Sequence, residues 1–217
     1  MHTQTKTKGN ALLWILLLIG IALMITLIYY NRDTLETNGG TITWQTYTNE
    51  EFNFSLEYPS NWEIAEYPDH NVTPRFNLYP ESNNTSGLPY THHSGNIAHV
   101  SIFPQGVPTE GFFGESSTSS VDFQIETVGA RDYILSSGAR FATIANASSS
   151  PTSWNESGYV FSHVFIEELE TECLSEGEVV SQAECDPLFG DVIVRTGSVS
   201  QEDRATQVRI LESLEFF

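Results

Sequence analysis

Residues 11–30, ALLWILLLIGIALMITLIYY, run for 20 positions without a charge. At about 1.5 Å rise per residue, a helix of that length spans roughly the 30 Å hydrocarbon core of a bilayer. The run is therefore expected to be a transmembrane helix. Lys6 and Lys8 precede it, no acid occurs before Asp33, and Trp14, Tyr29 and Tyr30 lie near its ends, where amphipathic rings favour the membrane interface. The positive end should stay in the cytoplasm. A cleaved secretory signal has a shorter apolar stretch, about 7 to 15 residues, followed by a small-residue cleavage site. Here the run passes into Asn31, Arg32 and Asp33 with no A-x-A pattern, and no cysteine precedes Cys173, which excludes a lipidated N-terminal cysteine. The expected layout is a cytoplasmic tail over 1–10, a signal-anchor helix over 11–30, a linker over 31–42 and an extracytoplasmic domain over 43–217 of a single-pass protein of the cell membrane.

Charge narrows what that domain can meet. The chain carries 28 acids against 9 basic residues, net −19, and beyond residue 32 all the acids remain with six arginines and no lysine. Phosphate backbones need a basic surface that releases counterions, so a nucleic-acid binder is excluded. An anionic surface suits cation binding, repulsion of anionic polymers, a salty milieu or solubility alone.

Period-two alternation recurs from Thr43 onward, the mark of strands with one buried face. Phe52, Phe54, Leu56 and Tyr58 share one side, and Asn53, Ser55 and Glu57 the other. Further strands are expected over 44–48, 62–66, 75–79, 97–103, 122–128, 140–145, 158–168 and 191–197. Turn formers bound most of them, and the gaps leave no room for regular helices, which favours an antiparallel sheet over βαβ units. A helix is expected after Ser200: Asp203 stands three residues on, as in a capping box, and Ala205, Val208, Leu211 and Leu214 form an apolar stripe with Ile210 beside it. Phe216 and Phe217 are expected to dock in the core.

Cys173 and Cys185 are the only cysteines, twelve residues apart, in the part placed outside the membrane. A disulfide between them would staple the loop of a hairpin, worth roughly 3 kcal/mol in the chain-entropy model. A metal or redox pair lacks support, with no C-x-x-C and no histidine between residues 171 and 190. Eight carboxylates lie between Glu167 and Asp186, enough to gather a cation, but without the spacing of a calcium loop.

Catalytic signatures are missing: no G-x-S-x-G, H-E-x-x-H, G-x-G-x-x-G or P-loop occurs. The best cluster is His92, His93 and His99, three imidazoles that could hold zinc with an open position. The plainer reading makes His92 and His93 loop residues and His99 a strand residue on the wetter face. His163 lies on one strand face with Tyr159, Phe161 and Phe165, and reads as a core or edge histidine rather than a base.

The segment WQTYTNEEFNFSLEYPSNWEI, Trp44 to Ile64, resembles the opening of the PsbP-like (Mog1/PsbP) family, with Tyr58, Pro59 and Trp62 as its Tyr-Pro-x-x-Trp motif. The close, QVRILESLEFF, is similar to the family's last helix through Ile210, Leu211, Leu214, Phe216 and Phe217. The resemblance implies an α+β fold, an antiparallel sheet flanked by helices. It transfers no functional residue, and the Cys173–Cys185 loop looks like an insertion. Two functions follow as expectations. One is a membrane-anchored binding or structural module without catalytic activity or cofactor, facing an envelope protein, polymer or cation. The other is a metal-dependent envelope hydrolase using His92, His93 and His99.

Overall fold

A computed structural model describes residues 42–67, 74–81, 96–106, 114–148, 151–156 and 158–217. The cytoplasmic tail, the 11–30 helix, nearly all of the linker, and His92 and His93 lie outside them. Among the described residues no helix is long and apolar enough to cross a membrane. Thr43–Phe217 form one compact unit.

That unit is built from three antiparallel sheets. The first has the order β1-β2-β13, from β1 (Trp44–Asn49), β2 (Phe54–Pro59) and β13 (Glu215–Phe216). The largest runs from β3 (Trp62–Tyr67) through β4 (Arg75–Pro80), β5 (His99–Phe103), β9 (Tyr159–His163), β8 (Arg140–Ala147) and β7 (Thr127–Ile134) to β6 (Ser116–Thr118). In the third, β10 (Ile166–Ser175) lies between β11 (Glu178–Val180) and β12 (Val192–Val199). One α-helix, α1 (Gln201–Glu212), precedes β13.

The expected α+β arrangement, a sheet flanked by helices, is therefore corrected: among the described residues α1 is the one α-helix, and the rest of the regular structure is strand apart from one 3-10 turn. The flanking helices came only from resemblance at the two ends of the domain. Between those ends the chain alternates at period two, which buries one side of a strand but leaves no continuous stripe on a helix.

Alternation explains β2 well. Phe54 and Leu56 are fully buried and Glu57 is exposed. Ser55 departs from the pattern because β13 returns beside it, and its hydroxyl donates to Glu215 Oε1 at 2.9 Å. Phe54, Leu56, Phe76, Leu78, Val100 and Ile102 pack with Ile210, Leu211 and Leu214 of the α1 segment to form the main core. Trp154 closes it: its indole N–H donates to the Phe52 carbonyl at 2.8 Å, and its ring meets Phe54 and Phe216 edge-on. Burying such rings is worth about 1.5–3 kcal/mol each.

The Ser200 hydroxyl caps α1 by accepting from the Asp203 amide at 3.2 Å, as its sequence position foretold. Its buried stripe is shifted, to Gln207, Ile210, Leu211 and Leu214, and Ala205 is exposed. Gln207 sets this rotation, since its amide donates to the backbone carbonyls of His163 and His99 and so must face the sheet. Phe216 is half-buried against Trp154, but Phe217 stays exposed, held through its amide to the Asn53 carbonyl.

Several strand boundaries moved, two of them with an evident cause. β7 begins at Thr127 rather than 122 and runs to Ile134, and a bulge between Val128 and Arg131, with Gly129 in the left-handed region, interrupts its pairing. Asp132 is buried and accepts from Ser119, Ser120 and Thr143 at 2.7–3.2 Å, with Arg140 at 3.7 Å. The expected strand over 158–168 divides at Val164–Phe165, where the chain leaves the large sheet. There the Asn96 side chain acts as a short strand: its Oδ1 accepts from the Ile166 amide at 2.7 Å, and its Nδ2 donates to the Ile166 carbonyl at 2.6 Å.

Candidate functional site

The third sheet forms an arm. β10 is ten residues long, and a bulge between Glu167 and Glu170, with Glu168 in the left-handed region, separates its root from its outer part. Gly197 on β12 makes room for the bulge: a Cβ there would stand 2.6 Å from Ile166 Cγ2 and 2.7 Å from the Glu167 carbonyl. Beyond the bulge, Cys173 pairs with Val180 on one side and Ile193 on the other, so it lies in the middle strand.

Cys173 is joined to Cys185 by a disulfide, with Cα atoms 5.9 Å apart. Cys173 is buried, and a small hollow of about 240 Å³ beside the bond is lined by Thr171, Gln182, Pro187 and Ile193 among others. Immediately after Cys185 the chain makes one 3-10 turn, Pro187–Phe189. Asp186 Oδ1 accepts from the Leu188 amide at 3.2 Å, the Phe189 amide donates to the Asp186 carbonyl at 3.0 Å, and Gly190 ends the turn at φ 109°. Asp191 Oδ2 accepts from the Asp186 amide at 2.7 Å, which with the Ser175 side chain holds the Asp191 carboxyl below its usual range.

This braced turn presents its apolar side chains to solvent. Leu188 is 75% and Phe189 88% exposed, whereas Val179 and Val192, also exposed, flank Leu174 on the sheet face opposite Cys173. Two adjacent large apolar side chains held out on a braced turn are uncommon on a surface unless they meet something. All eight carboxylates from Glu167 to Asp186 are exposed, spread from the root of the arm at Glu167 to its outer end at Glu176, Glu178, Glu184 and Asp186. They do not converge: the grouping of possible metal ligands found among the described residues is Cys173, Cys185 and Asp191, and its two sulfurs are already joined to each other. The acids are a solvated surface running along the arm.

The histidines divide differently from the sequence reading. His92 and His93 lie outside the described residues. His99, expected on the wetter face, is instead 1% exposed, because β5 is an interior strand covered on both sides. Its Nδ1 lies 2.7 Å from the Ile97 carbonyl, which can only accept, so this nitrogen carries the proton. Its ring stacks on His163 directly opposite on β9, with centroids 6.0 Å apart. His163 is also buried, near Phe141 and Phe161. Burial pushes its pKa down to about 3, and the neighbouring His99 and Arg195 push the same way. An imidazole whose pKa lies this low is too weak a base to take a proton from a substrate near neutral pH.

The disulfide was legible from compartment and spacing. The tip was not: Leu188 and Phe189 are two apolar residues in a short loop, a pattern that ordinarily signals burial. No protein-family model matches the chain, and no curated protein or solved structure matches it either.

Proposed function

We propose that the protein is a membrane-anchored extracytoplasmic binding module, held in the bilayer through residues 11–30, that docks a partner protein with the tip of its arm. The observation that carries this reading is the exposure of Leu188 and Phe189 on a turn that a disulfide, two aspartates and a left-handed glycine hold in place. A preorganised apolar anchor loses little entropy on binding, and aromatic anchors supply most of the energy of known interfaces. The disulfide supports the placement outside the cytoplasm, where such bonds persist.

The acids of the outer arm set the partner's chemistry. Exposed carboxylates there favour an apolar pocket edged with lysine and arginine, and they oppose an anionic lipid surface or an acidic polymer. No catalytic step is assigned, and the alternative of a zinc hydrolase built on His92, His93 and His99 gains no support from the buried, stacked His99. The test is a photoreactive phenylalanine analogue in place of Phe189, irradiated in intact cells. The expected result is a discrete protein adduct that disappears with Leu188→Ser and weakens at high salt. Lipid adducts alone, or protein adducts unchanged by Leu188→Ser, would overturn the reading. Protease added to intact cells should remove the domain and spare a cytosolic marker.

A further inference from the structure

On the large sheet, the face turned away from α1 carries a set of buried polar groups that the arm does not use. Alternate residues of a strand share a face, so Asn77 on β4, His99 and Ser101 on β5, and Tyr159 and His163 on β9 all project from the same side. Asn77 stands directly opposite Ser101, and His99 opposite His163. All five residues are at least nine-tenths buried. Asn77 Nδ2, Ser101 Oγ and Tyr159 OH have no hydrogen-bond partner among the described residues, and His163 Nδ1 makes no hydrogen bond of good geometry there.

Orphaned polar atoms are rare in native interiors, a few per hundred residues, and each costs about 1–3 kcal/mol. Several on one patch of one sheet face indicate a missing common partner. Asn77 Nδ2 can only donate, and the two hydroxyls rotate to donate, so the partner must be rich in acceptors. The charges of the described residues that act here are cationic: Arg75 on Tyr159, and His99 and Arg195 on His163. The buried carboxylate of the same sheet, Asp132, projects from the other face, where Ser119, Ser120 and Thr143 already engage it. In a chain of net charge −19 this is an unusual interior.

We infer that this face is a binding site for a small oxyanion, a carboxylate or a phosphate, held by donation from Asn77, Ser101 and Tyr159. The inference is independent of the arm, whose tip lies on another sheet. An oxyanion offers acceptors to donors of this kind, and charge-assisted bonds are about twice as strong as neutral ones.

The test uses the full chain in detergent, with thermal unfolding followed against added sodium phosphate, sodium acetate, or sodium chloride at matched ionic strength. The expected result is a saturable rise in Tm with one of the two oxyanions over chloride, and which one separates a phosphate from a carboxylate ligand. Ser101→Ala and the milder Tyr159→Phe should each weaken the apparent affinity about tenfold, the loss of one hydrogen bond to a charged group. The His163 ring resonances should move on binding in the parent and less in both variants. Equal melting in all three salts, or saturation unchanged by either variant, would overturn the inference.

Discussion

Acidification should destabilise this protein in a way that one histidine reports. The folded pKa of His163 is pushed down to about 3, chiefly by burial, against about 6.5 for an exposed imidazole. Between those values the unfolded chain binds a proton at this position and the folded chain does not. Stability therefore falls as pH falls, and the loss begins near the unfolded pKa. Each unit below 6.5 costs about 1.4 kcal/mol, which amounts to about 2 kcal/mol at pH 5. The groups facing the ring are His99 from β5 and Arg195 from β12, both cationic when charged, so neither offers the imidazolium a partner. The perturbation is His163→Leu, an apolar side chain in an enclosed site. Urea unfolding of parent and variant is compared from pH 7.5 to 5, stopping above the pI of about 4.4, where the protein would precipitate. The 28 acids act on both chains, so the difference between the two curves reports His163 together with its contact to His99. At an m-value of about 2 kcal/mol/M, the gap in midpoint should change by about 1 M across that range, always in favour of the variant as pH drops. Parallel curves would refute the reasoning, because they would mean that His163 titrates alike in the folded and unfolded chain.

Three further outcomes are expected. Replacing Cys173 and Cys185 by alanine should cost about 3 kcal/mol and raise hydrogen exchange first in Leu188, Phe189 and the outer arm, while alkylation of the unreduced parent captures no thiol. Asp132→Ala leaves Thr143 and its neighbours without their acceptor and should cost about 3–5 kcal/mol in calorimetric unfolding, with Asp132→Asn milder. Gly197→Ala puts a Cβ against Ile166 at φ 136° and should cost about 2 kcal/mol or more, read as a lower urea midpoint, whereas Gly177→Ala at an open turn tip should cost less.

The parts of the fold that were legible follow from local rules. Phe54 and Leu56 alternate with polar neighbours and form a strand, Ser200 caps a helix, and two cysteines twelve residues apart form a bond. Where the reading failed, a distant segment had intervened. Ser55 is buried because Glu215 reaches it, and α1 is rotated because Gln207 finds the carbonyls of His163 and His99. His99 is enclosed because strands far away in sequence flank it. The helices expected from likeness at the two ends had no counterpart among the described residues between them.

Sequence alone determined the strand-rich character, the acidic balance, the helix at the end of the domain and the disulfide, because each rests on neighbours within a dozen residues or on composition. Only tertiary structure decided that β10 leaves the main sheet to make an arm, that Leu188 and Phe189 face water, and that Asn77, Ser101 and Tyr159 share one buried face. Exposure and partnership depend on which strands lie side by side. Pairing between strands far apart in the chain leaves no mark in the period of either one.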